Sequence, residues 1–272
     1  MSVAKKALKL ALLPLASLGT QKECGLYVLI YHRVGANMEQ EMDLPTSRFA
    51  AQMAHLKEHR EVVKLSQGLE RLASGVPWQR DAVAVTFDDG YADVAVNAFP
   101  ILEQLGIPAT IFLPTAFMEG EIEAPIRAGA ATRGRRPEAM TWADVERMRT
   151  SGLIDIGSHS HTHRDFNNLT AKQASEECER SRDIIAQRTG TSPEVFAYPR
   201  AVVAHDGVVA GYYRFAVGAQ GLKATTSRLF AMRVPRIPVR ETDGMYFFKR
   251  RLAGMRPLED NLYARMRGSA QP

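Results

Sequence analysis

Short apolar runs alternate with segments of helical pattern along most of this 272-residue chain. We predict strands at residues 26–31, 61–64, 82–87, 109–113, 153–156, 194–198 and 214–217. Strands joined by crossover helices run parallel, because each helix returns the chain to the same end of the sheet. The alternation therefore predicts an α/β fold. Seven or so such units favour a closed or nearly closed (β/α) barrel over an open sheet, although spacing alone does not decide between them.

The helical segments carry recognisable start and stop signals. Thr141, with Asp144 three residues later, resembles a capping box, and Thr170 is placed to cap a helix that ends at Gly190. We expect a third helix over residues 91–105, ended by Gly106. Residues 119–138 combine glycine, proline and arginine and are predicted to form a surface loop.

Composition places the chain among ordinary globular proteins. Hydrophobic residues make up 45% and charged residues 24%, and no apolar run approaches the roughly 20 residues that a membrane-spanning helix needs. We find no internal repeat and no interdomain linker. The sequence therefore predicts a single domain over residues 23–272, preceded by a basic and apolar segment over residues 1–22.

The amino-terminal segment and the overall charge bear on location and partners. Three lysines precede the apolar stretch at residues 10–18, as in a signal peptide, but Pro14 interrupts the stretch and no clean cleavage site follows. A basic amphipathic helix on the inner face of a membrane explains the same residues, so we expect a cytoplasmic, membrane-apposed protein with export as the alternative. The net charge of +5 suits phospholipid or phosphorylated glycan partners. No aromatic-plus-basic module is present, so nucleic acid is not expected as a partner.

The histidines are unevenly distributed. They lie at positions 32, 55, 59, 159, 161, 163 and 205, whereas the two cysteines are too few for a thiolate zinc cage. His159 and His163 follow the predicted strand 153–156, and if this segment turns helically they share one face and can bind one metal ion, with His161 pointing elsewhere. Asp88 and Asp89 follow the strand 82–87. We expect their side chains to diverge, one toward a cation and one toward substrate.

A second histidine pattern offers a competing interpretation. His55 and His59 form an H-x-x-E-H sequence, which is typical of inverted zinc peptidases. Phe49, Met53 and Leu56 form the predicted apolar face of the same helix, which leaves both histidines on its polar or boundary face. Because a five-residue pattern has a high false-positive risk, the peptidase is the less favoured interpretation.

Three sequence blocks resemble a known family. Residues 85–91 (VTFDDGY) and 106–112 (GIPATIF) resemble the first block of the polysaccharide deacetylases, the NodB-homology family. Residues 155–163 (DIGSHSHTH) resemble the second block, and residues 196–199 (FAYP) resemble the third. The resemblance implies a distorted (β/α) barrel. It also implies removal of N- or O-acetyl groups from sugars with a divalent metal ion, often Zn²⁺.

The resemblance also implies roles for particular residues. Asp89, His159 and His163 would bind the metal, and Asp88 would be the base that activates the attacking water. A backbone N–H in the segment formed by Tyr198, Pro199, Arg200 and Ala201 would stabilise the oxyanion of the tetrahedral intermediate.

The chain departs from the family pattern at three points. The late histidine that protonates the leaving amine is absent. His32 at the end of the first strand is the predicted substitute, as in the subgroup that deacetylates biofilm polysaccharides. Ala197 stands where many members carry the arginine that holds the catalytic aspartate, so Arg236, or Arg200 itself, would supply that cation. The late Asp-Trp element is not evident, although Asp243 is a candidate relic.

These observations predict a metal-dependent hydrolase that removes an N-acetyl group from an amino sugar of a cell-envelope polysaccharide or lipid-linked glycan. A catalytically silent, deacetylase-like glycan-binding protein is the alternative, because the third and late blocks are altered. O-deacetylation and deformylation use the same machinery and stay open. The sequence does not determine the sugar, the native metal or the oligomeric state.

Overall fold

The computed structural model describes residues 23–38, 40–125, 136–218 and 223–254. Within these ranges the strands are β1 (Leu26–Tyr31), β2 (Arg33–Val34), β3 (Asp43–Leu44), β4 (Glu61–Val62), β5 (Ala82–Phe87), β6 (Ala109–Leu113), β7 (Ile154–Ser158), β8 (Val195–Ala197), β9 (Phe215–Val217) and β10 (Ile237–Pro238). The α-helices are α1 (Thr46–His59), α2 (Leu65–Ala73), α3 (Phe99–Leu105), α4 (Thr115–Met118), α5 (Trp142–Thr150), α6 (Ala171–Thr189), α7 (Asp206–Val209) and α8 (Gly244–Arg251). The predicted basic segment 1–22 lies outside the described residues, as does the middle of the predicted loop 119–138.

The main sheet is parallel throughout and runs in the order β10-β1-β5-β6-β7-β8-β9. β4 and β6 pair with the same edge of β5. β4 lies beside the first residues of β5, and β6 lies beside its last residues. Val234 forms a parallel bridge to Val217 of β9, and three residues later Ile237 pairs with Leu29 of β1. Residues 234–238 therefore connect the two ends of the sheet, which curls into the predicted distorted barrel in a single domain. None of the helices in the described ranges is long and apolar enough to cross a bilayer.

Strand alternation sorts the core into an inner and an outer layer. Even-numbered residues of β1 and β5 pack with Phe112 and the inward residues of β8 and β9, inside the barrel. Odd-numbered residues of the same strands pack against α1, α3, α5 and α8. Because side chains alternate between faces along a strand, the residue that continues the even series beyond β5 is Asp88. The fold thus directs this carboxylate into the mouth of the barrel.

The predicted helix boundaries are largely reproduced. Thr141 with Asp144, and Thr170 with Gln173, form capping boxes, and Gly190 ends α6 in the left-handed conformation with φ 72°. The predicted helix over 91–105 is present from residue 92 to residue 105, and it contains a π-helical turn (Val94–Ala98) directly before α3. Pro100 lies in the first turn of α3, and since proline has no N–H it cannot continue an α-helical ladder from the preceding turn.

A tight contact inside the barrel gives a prediction about stability. Gly157 of β7 lies opposite Phe112 of β6, and a Cβ at position 157 would be 2.4 Å from two atoms of that ring. We expect Gly157→Ala to lower the free energy of unfolding by about 1–3 kcal/mol, because the ring has to shift within a packed interior. Urea denaturation measures the change.

Gly207 is the matched control, since a Cβ added there meets no atom within 4 Å. Gly207→Ala should leave the unfolding midpoint unchanged or raise it slightly. Equal stability of the two variants would show that the barrel interior at Gly157 is not closely packed.

Candidate metal centre and active site

Three potential metal ligands converge at the carboxyl ends of β5 and β7. The carboxylate of Asp89 and the imidazoles of His159 and His163 are buried, and their donor atoms all lie within 4.8 Å of one another. Nε2 of His163 is 3.3 Å from Oδ1 of Asp89, and Nε2 of His159 is 3.5 Å from the same atom. Within the described ranges no other group of three such side chains is this close.

The two adjacent aspartates do not diverge as the sequence suggested. Nε2 of His159 lies 3.7 Å from Oδ2 of Asp88 and 3.5 Å from Oδ1 of Asp89, so both carboxylates approach the same imidazole. Asp89 has φ 73° and Gly90 has φ 63°, which interrupts the strand alternation directly after Asp88. A left-handed aspartate is strained backbone of the kind that clusters at functional sites.

The histidine segment also differs from expectation, because residues 159–163 form an irregular loop rather than a helical turn. Ser160 and His163 are left-handed, with φ 64° and 56°. The start of the loop continues the sheet through a bond from the N–H of His159 to the carbonyl of Leu113. The two imidazoles still face each other with ring centres 4.8 Å apart. The loop thus achieves by tight turns the convergence that the spacing suggested.

The chemistry of these side chains fits a divalent metal. Nδ1 of His159 lies 2.7 Å from the carbonyl oxygen of Ala197. Because a carbonyl oxygen can only accept a hydrogen bond, Nδ1 carries the proton. In the neutral imidazole Nε2 is then the unprotonated nitrogen, and it faces Asp89. Both carboxylate oxygens of Asp89 are buried without a hydrogen-bond donor from the described residues. One carboxylate and two imidazoles are ligands that Zn²⁺ accepts in catalytic sites, with a position left open. These buried, unsatisfied atoms are the observation that favours a cation here.

The pKa shifts of the three side chains follow from their burial and from their mutual contacts. Burial lowers the pKa of His159 to about 4, so its imidazole is neutral at neutral pH. Burial opposes ionisation of Asp89, but the charges of the neighbouring imidazoles, that of His163 foremost, outweigh it and lower the pKa of this carboxyl. Burial also opposes protonation of His163, and here the Asp89 carboxylate outweighs it and raises the pKa.

Asp88 is held by a buried guanidinium. Nη1 and Nη2 of Arg236 donate to Oδ1 and Oδ2 of Asp88 at 2.7 and 2.8 Å, and the arginine is fully buried. Further contacts of Arg236 are a bond from Nε to the carbonyl of Gly218 and one from Nη1 to the hydroxyl of Thr86. Burial acts to raise the pKa of Asp88, but Arg236 outweighs it and lowers this pKa, which keeps the group a carboxylate.

The sequence left Arg236 and Arg200 as candidates for the cation that orients Asp88. In the structure Arg236 is the residue that pairs with this carboxylate. Arg200, the other candidate, is exposed and makes no ion pair with Asp88. The supporting contacts from Gly218 and Thr86 were not anticipated. The position of Thr86 in the inward-facing series of β5 is the sequence signal that could have suggested its part, whereas no signal marks the backbone carbonyl of Gly218.

His32 lies at the end of β1, close enough to Asp88 and Asp89 for its charge to lower the pKa of both carboxyls. Its Nδ1 is buried and has no hydrogen-bond partner among the described residues. The structure therefore places His32 near both carboxylates, while its role as a proton donor stays a prediction. Asp243, the candidate relic, directly precedes α8. Its carboxylate accepts the N–H of Arg240 and lies 3.4 Å from the guanidinium of Arg251.

The predicted oxyanion segment has few free donors. Tyr198 uses its N–H to reach the carbonyl of Val217, and Ala201 uses its N–H to reach the carbonyl of Tyr198. Pro199 has no N–H. The N–H of Arg200, in a left-handed residue with φ 56°, is the one that these bonds leave unused. Of the predicted oxyanion donors in this segment, the N–H of Arg200 is therefore the remaining candidate.

The remaining histidines lie apart from the metal ligands. His161 is buried, with Nδ1 2.9 Å from the Thr115 hydroxyl and Nε2 3.3 Å from Glu121, as expected for a residue that points elsewhere. The rings of His55 and His59 meet edge to face on α1 with centres 4.5 Å apart, and these residues are partly exposed and exposed respectively. No third metal-ligating group joins this pair within the described residues, which argues against the peptidase interpretation.

Comparison with known proteins gives a consistent result. Residues 76–210 match the family model described as polysaccharide deacetylase. The Bacillus subtilis (strain 168) protein YxkH, assigned by name to the polysaccharide deacetylases, is 26% identical over 181 residues, which are 66% of this chain and 58% of YxkH. The poly-β-1,6-N-acetyl-D-glucosamine N-deacetylase of Escherichia coli (strain K12) is 29% identical over 139 residues, which are 50% of this chain but 20% of that enzyme.

Solved structures show the same fold. The Streptococcus pyogenes deacetylase PplD, in complex with acetate, superposes with a TM-score of 0.69 at 18% identity. The superposition covers 84% of this chain and 98% of PplD. This likeness covers more of the chain than the family model does.

The buried ion pair gives a prediction with a defined pH dependence. In Arg236→Met, burial acts on Asp88 without the guanidinium and raises the pKa of its carboxyl above the unfolded value. The variant therefore loses stability as pH rises, whereas the intact pair stabilises the wild type above the unfolded pKa of about 3.9 and loses that contribution as pH falls. We expect a deficit of about 3–5 kcal/mol near neutral pH that shrinks at lower pH.

Urea denaturation at several pH values, with chelator present throughout, measures this deficit. Arg228→Met removes an exposed arginine and is the control, with no expected deficit at any pH. A deficit of Arg236→Met that did not change with pH would show that Asp88 is not the group that the guanidinium stabilises.

Proposed function

Because the chain belongs to the polysaccharide deacetylase family through residues 76–210, we propose that it is a metal-dependent hydrolase that removes an N-acetyl group from an amino sugar. The proposed substrate is a cell-envelope polysaccharide or a lipid-linked glycan. The observation that carries this proposal is the buried cluster of Asp89, His159 and His163 beside the carboxylate of Asp88. The Escherichia coli relative, which by its name acts on poly-β-1,6-N-acetyl-D-glucosamine, supports an amino-sugar substrate.

Asp89, His159 and His163 would hold the metal ion. When bound, a divalent ion such as Zn²⁺ polarises the acetamide carbonyl and makes water more acidic. Asp88 accepts the proton of the attacking water, and Arg236 keeps this carboxylate ionised and fixed in orientation for that transfer. The bidentate contact leaves lone pairs on both oxygens of Asp88 for the proton.

Two further residues, which follow β1 and β8, are proposed to donate to the leaving group and to the oxyanion. His32 donates a proton to the sugar nitrogen as the C–N bond breaks, which releases acetate and a free amine. The N–H of Arg200 donates to the oxygen that becomes negatively charged in the tetrahedral intermediate. A backbone donor fixed by the left-handed conformation of Arg200 needs no reorganisation during the reaction.

Metal binding by the proposed ligands can be tested directly. We expect Asp89→Ala and His159→Ala to lose zinc binding and the release of acetate from N-acetylated oligosaccharides, because each removes one of three ligands. Metal analysis of the purified proteins and an acetate assay with and without chelator measure both losses.

His55→Ala is the matched control, since it removes a histidine from the H-x-x-E-H helix. It should keep the metal content and activity of the wild type. Loss of zinc in His55→Ala but not in His159→Ala would move the metal site to the peptidase-like motif. A wild type that binds zinc but releases no acetate or formate from a panel of amino-sugar substrates would favour the silent glycan-binding protein.

The role of His32 is separable from metal binding. We expect His32→Ala to lower kcat about 100- to 10,000-fold while the zinc content stays that of the wild type, because a general acid contributes on that scale. Steady-state kinetics together with metal analysis measure the two effects. An unchanged kcat would assign His32 a structural place in the barrel mouth only.

A further inference from the structure

A buried glutamate on α6 contacts the loop that carries both histidine ligands. The carboxylate of Glu177 accepts the N–H of His161 at 2.9 Å and the N–H of Thr162 at 2.7 Å, and its other oxygen accepts the hydroxyl of Thr162. Glu177 is 7% exposed, and among the described residues no basic side chain pairs with it. The loop donors themselves therefore stabilise the buried negative charge.

The position of Glu177 in the chain explains how it reaches the loop. α6 packs along the outside of β7, and Glu177 and Ser181, one turn apart, are both buried on the face of the helix that meets that strand. The Ser181 hydroxyl lies 2.8 Å from the hydroxyl of Ser158, which in turn accepts the N–H of Ser160. One helix face thus supports the beginning of the loop and its centre.

The loop needs such support because its conformation is unfavourable on its own. Ser160 and His163 both have left-handed backbones, and such strained residues persist only where the surrounding structure offsets their cost. Glu177 bonds to the two residues between them, His161 and Thr162. A charged acceptor shared by consecutive N–H groups is stronger than neutral acceptors would be.

We infer that Glu177 is a positioning residue for the metal site. It fixes the loop in the conformation that brings Nε2 of His159 and of His163 to the same point. Glu177 bonds to neither ligand side chain, so it acts through the backbone of residues 161 and 162 and through the hydroxyl of Thr162. This inference rests on the metal site of the proposed function.

The test is zinc affinity, measured by competition with a chromophoric chelator and without reference to turnover. Glu177→Gln removes the negative charge, and a neutral amide oxygen accepts the N–H groups of His161 and Thr162 more weakly than the carboxylate does. We expect the zinc dissociation constant to rise about 10- to 100-fold, the range typical when a residue that orients metal ligands is removed. Glu179→Gln, which changes an exposed glutamate on the same helix, should bind zinc as the wild type does.

A second pair of variants covers the case in which Glu177→Gln does not fold. Thr162→Val removes the hydroxyl that donates to Glu177 and keeps the side-chain shape, whereas Thr162→Ser keeps the hydroxyl. We expect weaker zinc binding for the first and wild-type binding for the second. In the double variant Glu177→Gln/Thr162→Val the two losses should be less than additive, since both act on the contact between these two side chains.

The outcomes separate this inference from the metal site itself. If the wild type and Glu179→Gln bind zinc and a folded Glu177→Gln binds it equally well, the positioning role is wrong and the metal site stands. The same holds if Glu177→Gln does not fold and Thr162→Val binds zinc as Thr162→Ser does. If the wild type binds no zinc, the proposed function itself fails.

Discussion

The buried pair between Arg236 and Asp88 is the interaction on which the arrangement of this molecule depends. Removing two charges from water is costly, and the cost is offset only where geometry and further hydrogen bonds are good. Both conditions are met here, because the guanidinium contacts both carboxylate oxygens and also reaches Gly218 and Thr86. The arginine comes from the segment that joins β9 to β1. The segment that closes the barrel therefore also orients the proposed catalytic base.

The metal site obeys a different constraint, which is that its ligands occupy strained backbone. Asp89 and His163 are both left-handed, although neither is glycine. Such conformations persist only where neighbouring elements enforce them, and at this site the support is identifiable. The carbonyl of Ala197 in β8 orients His159, and α6 holds the loop through Glu177. One strand and one helix that contribute none of the three proposed ligands, β8 and α6, thus support the site.

Much of this architecture follows from local sequence, and the failures have physical causes. The strands, both capping boxes and the terminating glycines are encoded within a few residues, so they could be predicted. The helix over 91–105 is present as one continuous element, but its hydrophobic pattern did not predict the π-helical turn at Val94–Ala98. The histidine loop was wrong as a helical turn because its backbone bonds go to Leu113, the start of α4 and Glu177, all distant in sequence. Strand β10, two residues long, has no periodicity from which to predict it.

The sequence by itself determined the α/β class and the residue types of the site, because hydrophobic periodicity and the D-D and H-x-x-x-H spacings are local properties. Only the tertiary structure decided that Arg236 rather than Arg200 pairs with Asp88. It also decided that both aspartates approach the same imidazole and that Glu177 on α6 accepts hydrogen bonds from the histidine loop. The physical reason is that these contacts join residues up to 148 positions apart. Strand order, backbone handedness at single residues and barrel closure fix them, and none of these is written in a short stretch of chain.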